Sequence, residues 1–401
     1  MTSEADQGVG RLFSEARLGP VTLRNRLIRT AAFEGMTQGG QVSDHLIEHH
    51  RRLAAGGIGM TTVAYCSVRP DGRTFAHQLV MSQDVRDDLA RLVHAVHSEG
   101  AAASIQLGHA GLFADKRLAG GRPLGPSAGF NLYGMSLGRA MTEAEIHQLV
   151  DDFRRAAKMA CQAGFDAVEL HLGHGYLLSQ FLSLHSNKRS DQWGGSLENR
   201  LRLPLAVVDA VLEEIGSRRA VLAKINMMDG FSGGLELDCA LRVAMALEDH
   251  GVSGLVLSGG YVSKTPFFML RGKVPVREMV STQRGMVRKL GLTLFGRMLV
   301  QTYPYEPTFF LGPAQRMRST VRLPLVYVGG VTSLDDMIRV TRAGFEFLAL
   351  GRALIFDPDF PNKLRAGDIR KVDCDHCNRC VAAMEAGGIR CVTREEETAS
   401  S

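Results

Sequence analysis

Between residues 21 and 351, short apolar runs alternate with stretches in which apolar residues recur every three or four positions. Eight runs read as β-strands: 26–32 (RLIRTAA), 58–65 (IGMTTVAY), 101–107 (AAASIQL), 166–172 (DAVELHL), 220–226 (AVLAKIN), 253–259 (SGLVLSG), 323–330 (LPLVYVGG) and 346–351 (EFLALG). The segments between them carry helix signals. In TEAEIHQLVDDFRRAAKMACQAG, Thr142 and Glu145 have capping-box spacing, Ile146, Leu149, Val150, Phe153, Ala157 and Ala160 follow at helical intervals, and Gly164 supplies a stop. TSLDDMIRVTRAG repeats the scheme with Ser333 as N-cap and Gly344 as terminator.

Eight strands alternating with helices predict an α/β chain folded as a (β/α)8 TIM barrel rather than an open dinucleotide-binding sheet. No G-x-G-x-x-G follows the first strand, which weighs against the open sheet. The expected organisation is an N-terminal segment (1–20), the barrel (21–366), a Cys-rich segment (367–392) and a disordered polar tail (393–401). Two long insertions interrupt the barrel. Residues 108–141 are rich in Gly and Pro and are expected to overhang the C-terminal ends of the strands. Residues 260–313 include TPFFML, LTLFGRML and YPYEPTFFL, an aromatic density suited to capping a pocket or to packing on the barrel or a second subunit.

Composition narrows the function classes. The 401 residues are 45% hydrophobic and 22% charged, as in soluble globular proteins. Their 47 basic and 42 acidic residues are interspersed, giving a net charge of +5 without the basic stripe of a nucleic-acid binder. No apolar run is long enough to span a membrane, and MTSEADQGVGRLFSEARLG lacks a signal peptide's hydrophobic segment. The expected location is the cytoplasm, where cysteines stay reduced.

Candidate chemistry concentrates where the fourth strand ends. HLGHGY places His171 at the strand end and His174 and Tyr176 on the loop beyond, with Gly173 and Gly175 permitting sharp turns. In barrels of this kind reactive groups gather at the C-terminal face. Read from the residues alone, the histidines can be structural, or can bind a metal with Glu169, which shares the strand face of His171. Lys224 on strand five also suits a Schiff-base aldolase, with His171 and Tyr176 as acid and base. The turns VGGVTS and ALGRAL follow strands seven and eight, where such barrels bind phosphate. They offer the backbone of Gly329, Gly330 and Gly351, with Arg352 as a cationic partner.

A second constellation lies near the C-terminus. Cys374, Cys377, Cys380 and Cys391 have C-x2-C-x2-C-x10-C spacing, a density of thiols rarely accidental in a reducing compartment. A four-iron cluster, a zinc ion and unligated thiols all remain open. His376 among them reads as an exposed loop residue, and Cys66, Cys161 and Cys239 as small buried hydrophobes.

The stretch HLGHGYLLSQFLSLHSNKRSDQWGGSLENRLRLPL, together with LFSEARLGPVTLRNRLIR and ALGRALIFDPDFPNKL, resembles the Old Yellow Enzyme family of FMN-dependent ene-reductases, the NADH:flavin oxidoreductases. The resemblance implies a barrel that holds FMN, takes hydride from NADH or NADPH, and reduces the C=C bond of an α,β-unsaturated carbonyl compound. By the same resemblance, His171 and His174 bind the substrate carbonyl oxygen and Tyr176 donates a proton to the α-carbon. Gln106 and Lys224 would contact the flavin ring, with lysine at a position commonly held by arginine. Ala31, Ala32 and Phe33, in TAAF, and the backbone of Tyr65 would line it. Phe33 departs from the usual small or thiol side chain, and Tyr65 from a small residue. Trp193 replaces a usual tyrosine, while Asn187, Arg189, Asp191 and Asn199 are retained as scaffolding, with Ser196 as an N-cap. The Cys-rich stretch resembles the [4Fe–4S] segment of the trimethylamine dehydrogenase and 2,4-dienoyl-CoA reductase branch, its last spacing slightly shorter. Such a cluster would call for an electron-transfer partner, and would bring dienoyl-thioester reduction or amine oxidation into view. Substrate, nicotinamide preference and assembly into a homo-oligomer are left open by the sequence.

Overall fold

The computed structural model describes residues 4–131, 135–282, 289–290, 293 and 300–400. Eight parallel strands close into a barrel: β1 (Leu27–Arg29), β2 (Met60–Ser67), β3 (Ala102–Gly108), β4 (Ala167–Leu172), β5 (Ala220–Asn226), β6 (Gly254–Ser258), β7 (Leu325–Val328) and β8 (Phe347–Leu350). Each pairs with the next in sequence, and β8 returns to β1 through Leu348↔Leu27 and Ala349↔Ile28.

Eight helices sheathe the barrel: α1 (Asp44–Ala55), α2 (Arg86–Ser98), α3 (Glu143–Gln162), α4 (Leu197–Ile215), α5 (Leu237–Asp249), α6 (Leu311–Thr320), α7 (Leu334–Arg342) and α8 (Phe360–Ala366). Thr142 and Glu145 form the expected capping box on α3, Ser333 and Asp336 form one on α7, and the Ser196 side chain accepts from the Asn199 N–H at the start of α4. Such caps satisfy amide donors that a helix leaves unpaired at its first turn.

Alternation along each strand explains where the chemistry sits. Ile105, Leu107, Val168, Leu170, Val221, Ala223, Leu255 and Leu257 pack outward into the core beneath the helices. The inward faces divide by height. Ile28, Met60, Ala167, Ala220, Leu222, Val256, Val326 and Phe347 fill the lower barrel, joined by Leu18 and Leu23. Those two leucines come from the hairpin Ala16–Leu18/Val21–Leu23, which seals the barrel floor. Above this apolar layer the buried inward residues become polar: Thr62, Ser104, Gln106, Glu169, His171, Lys224, Asn226 and Ser258. Buried polar groups need partners, and six of these residues find hydrogen bonds, whereas the Thr62 and Ser104 hydroxyls have none among the described residues.

The 108–141 insertion folds into a small sheet of Leu124–Gly125, Gly129–Asn131 and Ser136–Ala140. Asn187 holds the loop after β4 by donating to the carbonyls of Phe181 and Trp193. Arg189 ties that loop to the insertion through the carbonyls of Pro126 and Met141. In the second insertion Phe267, Phe268 and Phe310 are buried against the barrel, while LTLFGRML, 292–299, lies outside the described residues except for Thr293.

The C-terminal segment corrects two expectations. The polar end, read as a disordered tail from 393, carries a helix at Val392–Ser400. Three of its charges have specific partners: Glu395 pairs with Arg390, Glu396 with Arg379 and Arg394 with Asp357. His376 is not an exposed loop residue but half-buried, stacked 3.4 Å from the Tyr305 ring. Among the described residues no helix is long and apolar enough to cross a membrane.

Candidate active site

Strand register fixes the centre of the site. Gln106 lies opposite Glu169 and His171 opposite Lys224. From one residue lower on its strand face, the Glu169 carboxylate accepts from Gln106 Nε2 at 2.6 Å and pairs with Lys224 Nζ at 3.2 Å. The ammonium also donates to Thr30 Oγ1 at 3.1 Å and to the Ala31 carbonyl at 3.3 Å. Burial lowers the Lys224 pKa, and the Glu169 carboxylate opposes that shift. Glu169 is thereby committed to a cation and an amide. The metal reading that joined it to the two histidines finds no support: among the described residues no three His, Cys, Asp or Glu side chains converge as a shell for an ion.

The two histidines meet directly. Gly173 N–H donates to His171 Nδ1 at 3.3 Å, which assigns the proton of a neutral His171 to Nε2. That nitrogen faces His174 Nδ1 at 3.3 Å, and His174 Nε2 lies 2.7 Å from Ser258 Oγ. His174 adopts φ 61°, a left-handed conformation unusual for a residue with a side chain, held by its N–H donating to Asn226 Oδ1 at 2.9 Å. Burial and then the neighbouring His174 and Lys224 charges hold His171 well below the ordinary imidazole range. Burial followed by Lys224 pushes His174 down to about 3. Both rings are therefore neutral at pH 7.

Tyr176 completes the group, its ring 4.6 Å from His171 and 4.8 Å from Tyr65. Burial pushes its phenol up to about 12. Gly175, between His174 and Tyr176, has φ 75° and no room for a Cβ, which would lie 2.6 Å from the Tyr261 ring. The loop is thus pinned from both sides. The Tyr65 ring, rather than its backbone alone, belongs to the site: it lies between Phe33, His171 and Tyr176, and its hydroxyl meets Thr74 Oγ1 at 2.6 Å. Phe33 stacks on Phe75 at 4.8 Å. Phe113, from the 108–141 insertion, packs edge-on against Tyr176 at 6.0 Å. Asn226, Ser258 and Phe113 were not singled out by the sequence, although Asn226 and Ser258 close strands on the inward face.

The glycine turns beyond β7 and β8 lie where expected. Gly330, at φ 71°, leaves only 2.8 Å between a Cβ and the Glu306 carbonyl, and its own carbonyl accepts from Thr308 N–H. Gly351 starts the helix Arg352–Phe356, whose first amides lack intrahelical acceptors. The Arg352 guanidinium donates to Asn378 Oδ1 and to the carbonyls of Leu270 and Arg271. The Cys-rich segment and the 270–271 turn thus supply acceptors for its two terminal nitrogens.

The four C-terminal thiols are free and half-buried. The segment docks tightly on the loop after β1: Ile389 N–H donates to the Glu34 carbonyl at 2.7 Å, and a Cβ on Gly35 would lie 2.0 Å from the Met384 carbonyl. Two guanidiniums face it. Burial lowers the Arg352 pKa and the Cys374, Cys380 and Cys377 thiols oppose that; burial likewise lowers Arg29, opposed by Glu34 and Cys380. Arg29 is fully buried, with Nε and Nη2 lacking hydrogen-bond partners.

The sequence pattern of the NADH:flavin oxidoreductase / NADH oxidase family matches residues 11–262. A 4,4'-dithiodibutanoate disulfide reductase of Rhodococcus erythropolis is 44% identical over 385 residues, 96% of this chain and 95% of that protein. Morphinone reductase in complex with tetrahydroNAD is similar in structure, with a TM-score of 0.70 and 25% identity, over 91% of this chain and 93% of that one. Histamine dehydrogenase from Rhizobium sp. 4-9, at a TM-score of 0.77 and 25% identity, matches 96% of this chain, which spans 52% of that longer protein. The chain thus belongs to the NADH:flavin oxidoreductase / NADH oxidase family, that of the Old Yellow Enzymes, and is an NAD(P)H:flavin oxidoreductase.

Proposed function

We propose that this enzyme uses NADPH or NADH, by way of FMN, to reduce the C=C bond of an α,β-unsaturated carbonyl compound. The observation that carries the reading is the abutting neutral pair His171 and His174 with Tyr176 against it. The donor set suits the cofactor: an ammonium and an amide at the strand ends, and glycine backbone where a phosphate group is expected. Lys224 and Gln106 would hold the ring edge, the backbone of Gly329, Gly330 and Gly351 the phosphate, and Ala31, Ala32, Phe33 and Tyr65 would flank the ring. FMN supplies hydride chemistry when bound.

The protein's own contribution follows from its hydrogen bonds. A carbonyl oxygen seated between the histidines would take N–H donors from His171 Nε2 and His174 Nδ1, stabilising the enolate charge that develops at that oxygen. His174 must then carry its proton on Nδ1, and the Ser258 hydroxyl allows this by turning from acceptor to donor toward Nε2. Tyr176 delivers the proton to the α-carbon, its phenol kept protonated by burial.

The likeness to the Rhodococcus protein supports a second substrate class, an aliphatic disulfide. Two electrons would cleave its S–S bond, and Tyr176 would protonate a departing thiolate. The Schiff-base reading of Lys224 is not carried forward, since the chain is a flavin oxidoreductase and the amine is paired with Glu169. For the Cys-rich segment, a [4Fe–4S] cluster on Cys374, Cys377, Cys380 and Cys391 is supported by the thiol spacing and by the buried Arg29 and half-buried Arg352 guanidiniums, cations suited to an anionic cluster. Among the described residues these thiols are not drawn together as an ion shell and would have to close around it. A separate electron-transfer partner would then be needed. The seven free thiols suit the cytoplasm.

Anaerobic absorption spectra before and after each nicotinamide test the proposal. Flavin bands that bleach and then recover on adding an enone support C=C reduction. Recovery with 4,4'-dithiodibutanoate alone supports the second substrate class and overturns the first. Iron and acid-labile sulfide analysis of the same sample decides the cluster.

A further inference from the structure

A cavity of about 250 Å³ adjoins the loop that carries His174 and Tyr176. Two of its walls belong to the site as well. Phe113 packs on Tyr176, and Tyr261 lies against Gly175, where Val262 N–H donates to the His174 carbonyl at 2.9 Å. The cavity's other surfaces are apolar, basic and, at Asn131, Gln180, Ser186 and Ser263, neutral polar. Phe113, Leu112 and Phe130 are apolar, and the Phe130 ring is 61% exposed at the rim. His185 and Lys188 are basic, and among the described residues no Asp or Glu lines the space.

The basic side is richer than its lining residues. Lys264 lies 5.5 Å above the Phe231 ring, which contacts both His185 and Tyr261. Burial lowers the His185 pKa, and Lys264 and Lys188 lower it further. Among the described residues the lysines that form ion pairs are Lys158, Lys224, Lys273 and Lys363, and neither Lys188 nor Lys264 is among them. The nearest buried acid, Asp229, is committed to Ser183, Asn226 and the Leu235 N–H. Two lysines without an ion-pair partner among the described residues thus flank a partly apolar slot beside the reacting groups, with Asp229 behind Tyr261 as the buried acid whose charge reaches that wall.

We propose that this cavity binds the carboxylate end of the substrate, with Lys188 and Lys264 as its cations and the Phe113–Phe130 side taking the aliphatic chain. The inference rests on the C=C reduction reading and adds a substrate class to it: unsaturated ketones that carry a remote carboxylate. Rim cations set selectivity among ligands by charge, and their effect is screened by salt.

The test compares 6-oxohept-4-enoate with its methyl ester in the flavin-loaded enzyme and in the Lys188→Ala/Lys264→Ala double variant. The expected result is a KM for the acid about tenfold below that for the ester in the parent enzyme. The variant should lose that preference while kcat and the ester KM stay unchanged, and added salt should raise only the acid's KM. Titration calorimetry with saturated 6-oxoheptanoate and its ester repeats the comparison without turnover. Equal binding of acid and ester by the parent, or equal loss of both in the variant, overturns the carboxylate site. Discrimination in binding without turnover of either enone leaves the carboxylate site standing and overturns the C=C reduction reading alone.

Discussion

His174 Nε2 and Ser258 Oγ lie 2.7 Å apart although their strands, β4 and β6, are separated by β5 in the barrel. The contact couples the protonation of one ring nitrogen to the rotation of a hydroxyl. Ser258→Ala should therefore lower kcat/KM for an enone about tenfold, the scale of one neutral hydrogen bond or ~1.4 kcal/mol. Ser258→Thr should retain most activity. Stopped-flow rates of flavin reoxidation by substrate check this, with reduction by nicotinamide as the internal control.

Tyr176→Phe should slow the substrate step by about a hundredfold or more, the usual contribution of a positioned acid, and leave flavin bleaching by nicotinamide near the parent rate. Because burial pushes the Tyr176 phenol up to about 12, the same step in the parent should be insensitive to pH between roughly 7 and 10. A descending limb near pH 8 would assign the proton to another group.

Removing Lys224 leaves Glu169 as an unpaired carboxylate inside the barrel. Lys224→Ala should cost about 3–5 kcal/mol of stability, as measured by denaturant unfolding, and adding Glu169→Gln should restore a substantial part. Flavin affinity should fall in both variants, since both lack the cation.

His174 is pushed down to about 3 in the folded protein and returns to about 6.5 on unfolding. Between those values the unfolded chain binds the extra proton, so stability declines as pH falls from about 6.5 toward 3. His171 acts in the same direction. Urea midpoints measured across this window should flatten in His171→Asn/His174→Asn relative to the parent.

The barrel was legible because its strands announce themselves as apolar runs, and the eight runs coincide with the eight strands. Their ends were less so. The first run, 26–32, contains a strand of only Leu27–Arg29; beyond it the Thr30 hydroxyl and Ala31 carbonyl accept from Lys224. His171, His174 and Tyr176 were readable from a strand end followed by glycines. The Tyr65 ring, Phe113 and Ser258 were not, since each reaches the group through contacts between segments far apart in sequence. The partners of Arg352 were hidden for the same reason: nothing near it in the chain signals that the carbonyls of Leu270 and Arg271 will accept from its guanidinium. The helix at Val392–Ser400 likewise depends on partners such as Arg379 that a local reading of TREEETASS does not contain.

The docking of Met384 and Ile389 against Gly35 and Glu34 has a consequence for the order of assembly. A nascent chain emerges N-terminus first, so the loop after β1 is made well before the Met384 and Ile389 surface that holds it. The rim on that side of the mouth can settle only once Met384 and Ile389 have been made, and a truncation before Met384 would leave a barrel able to close with its entrance unfinished.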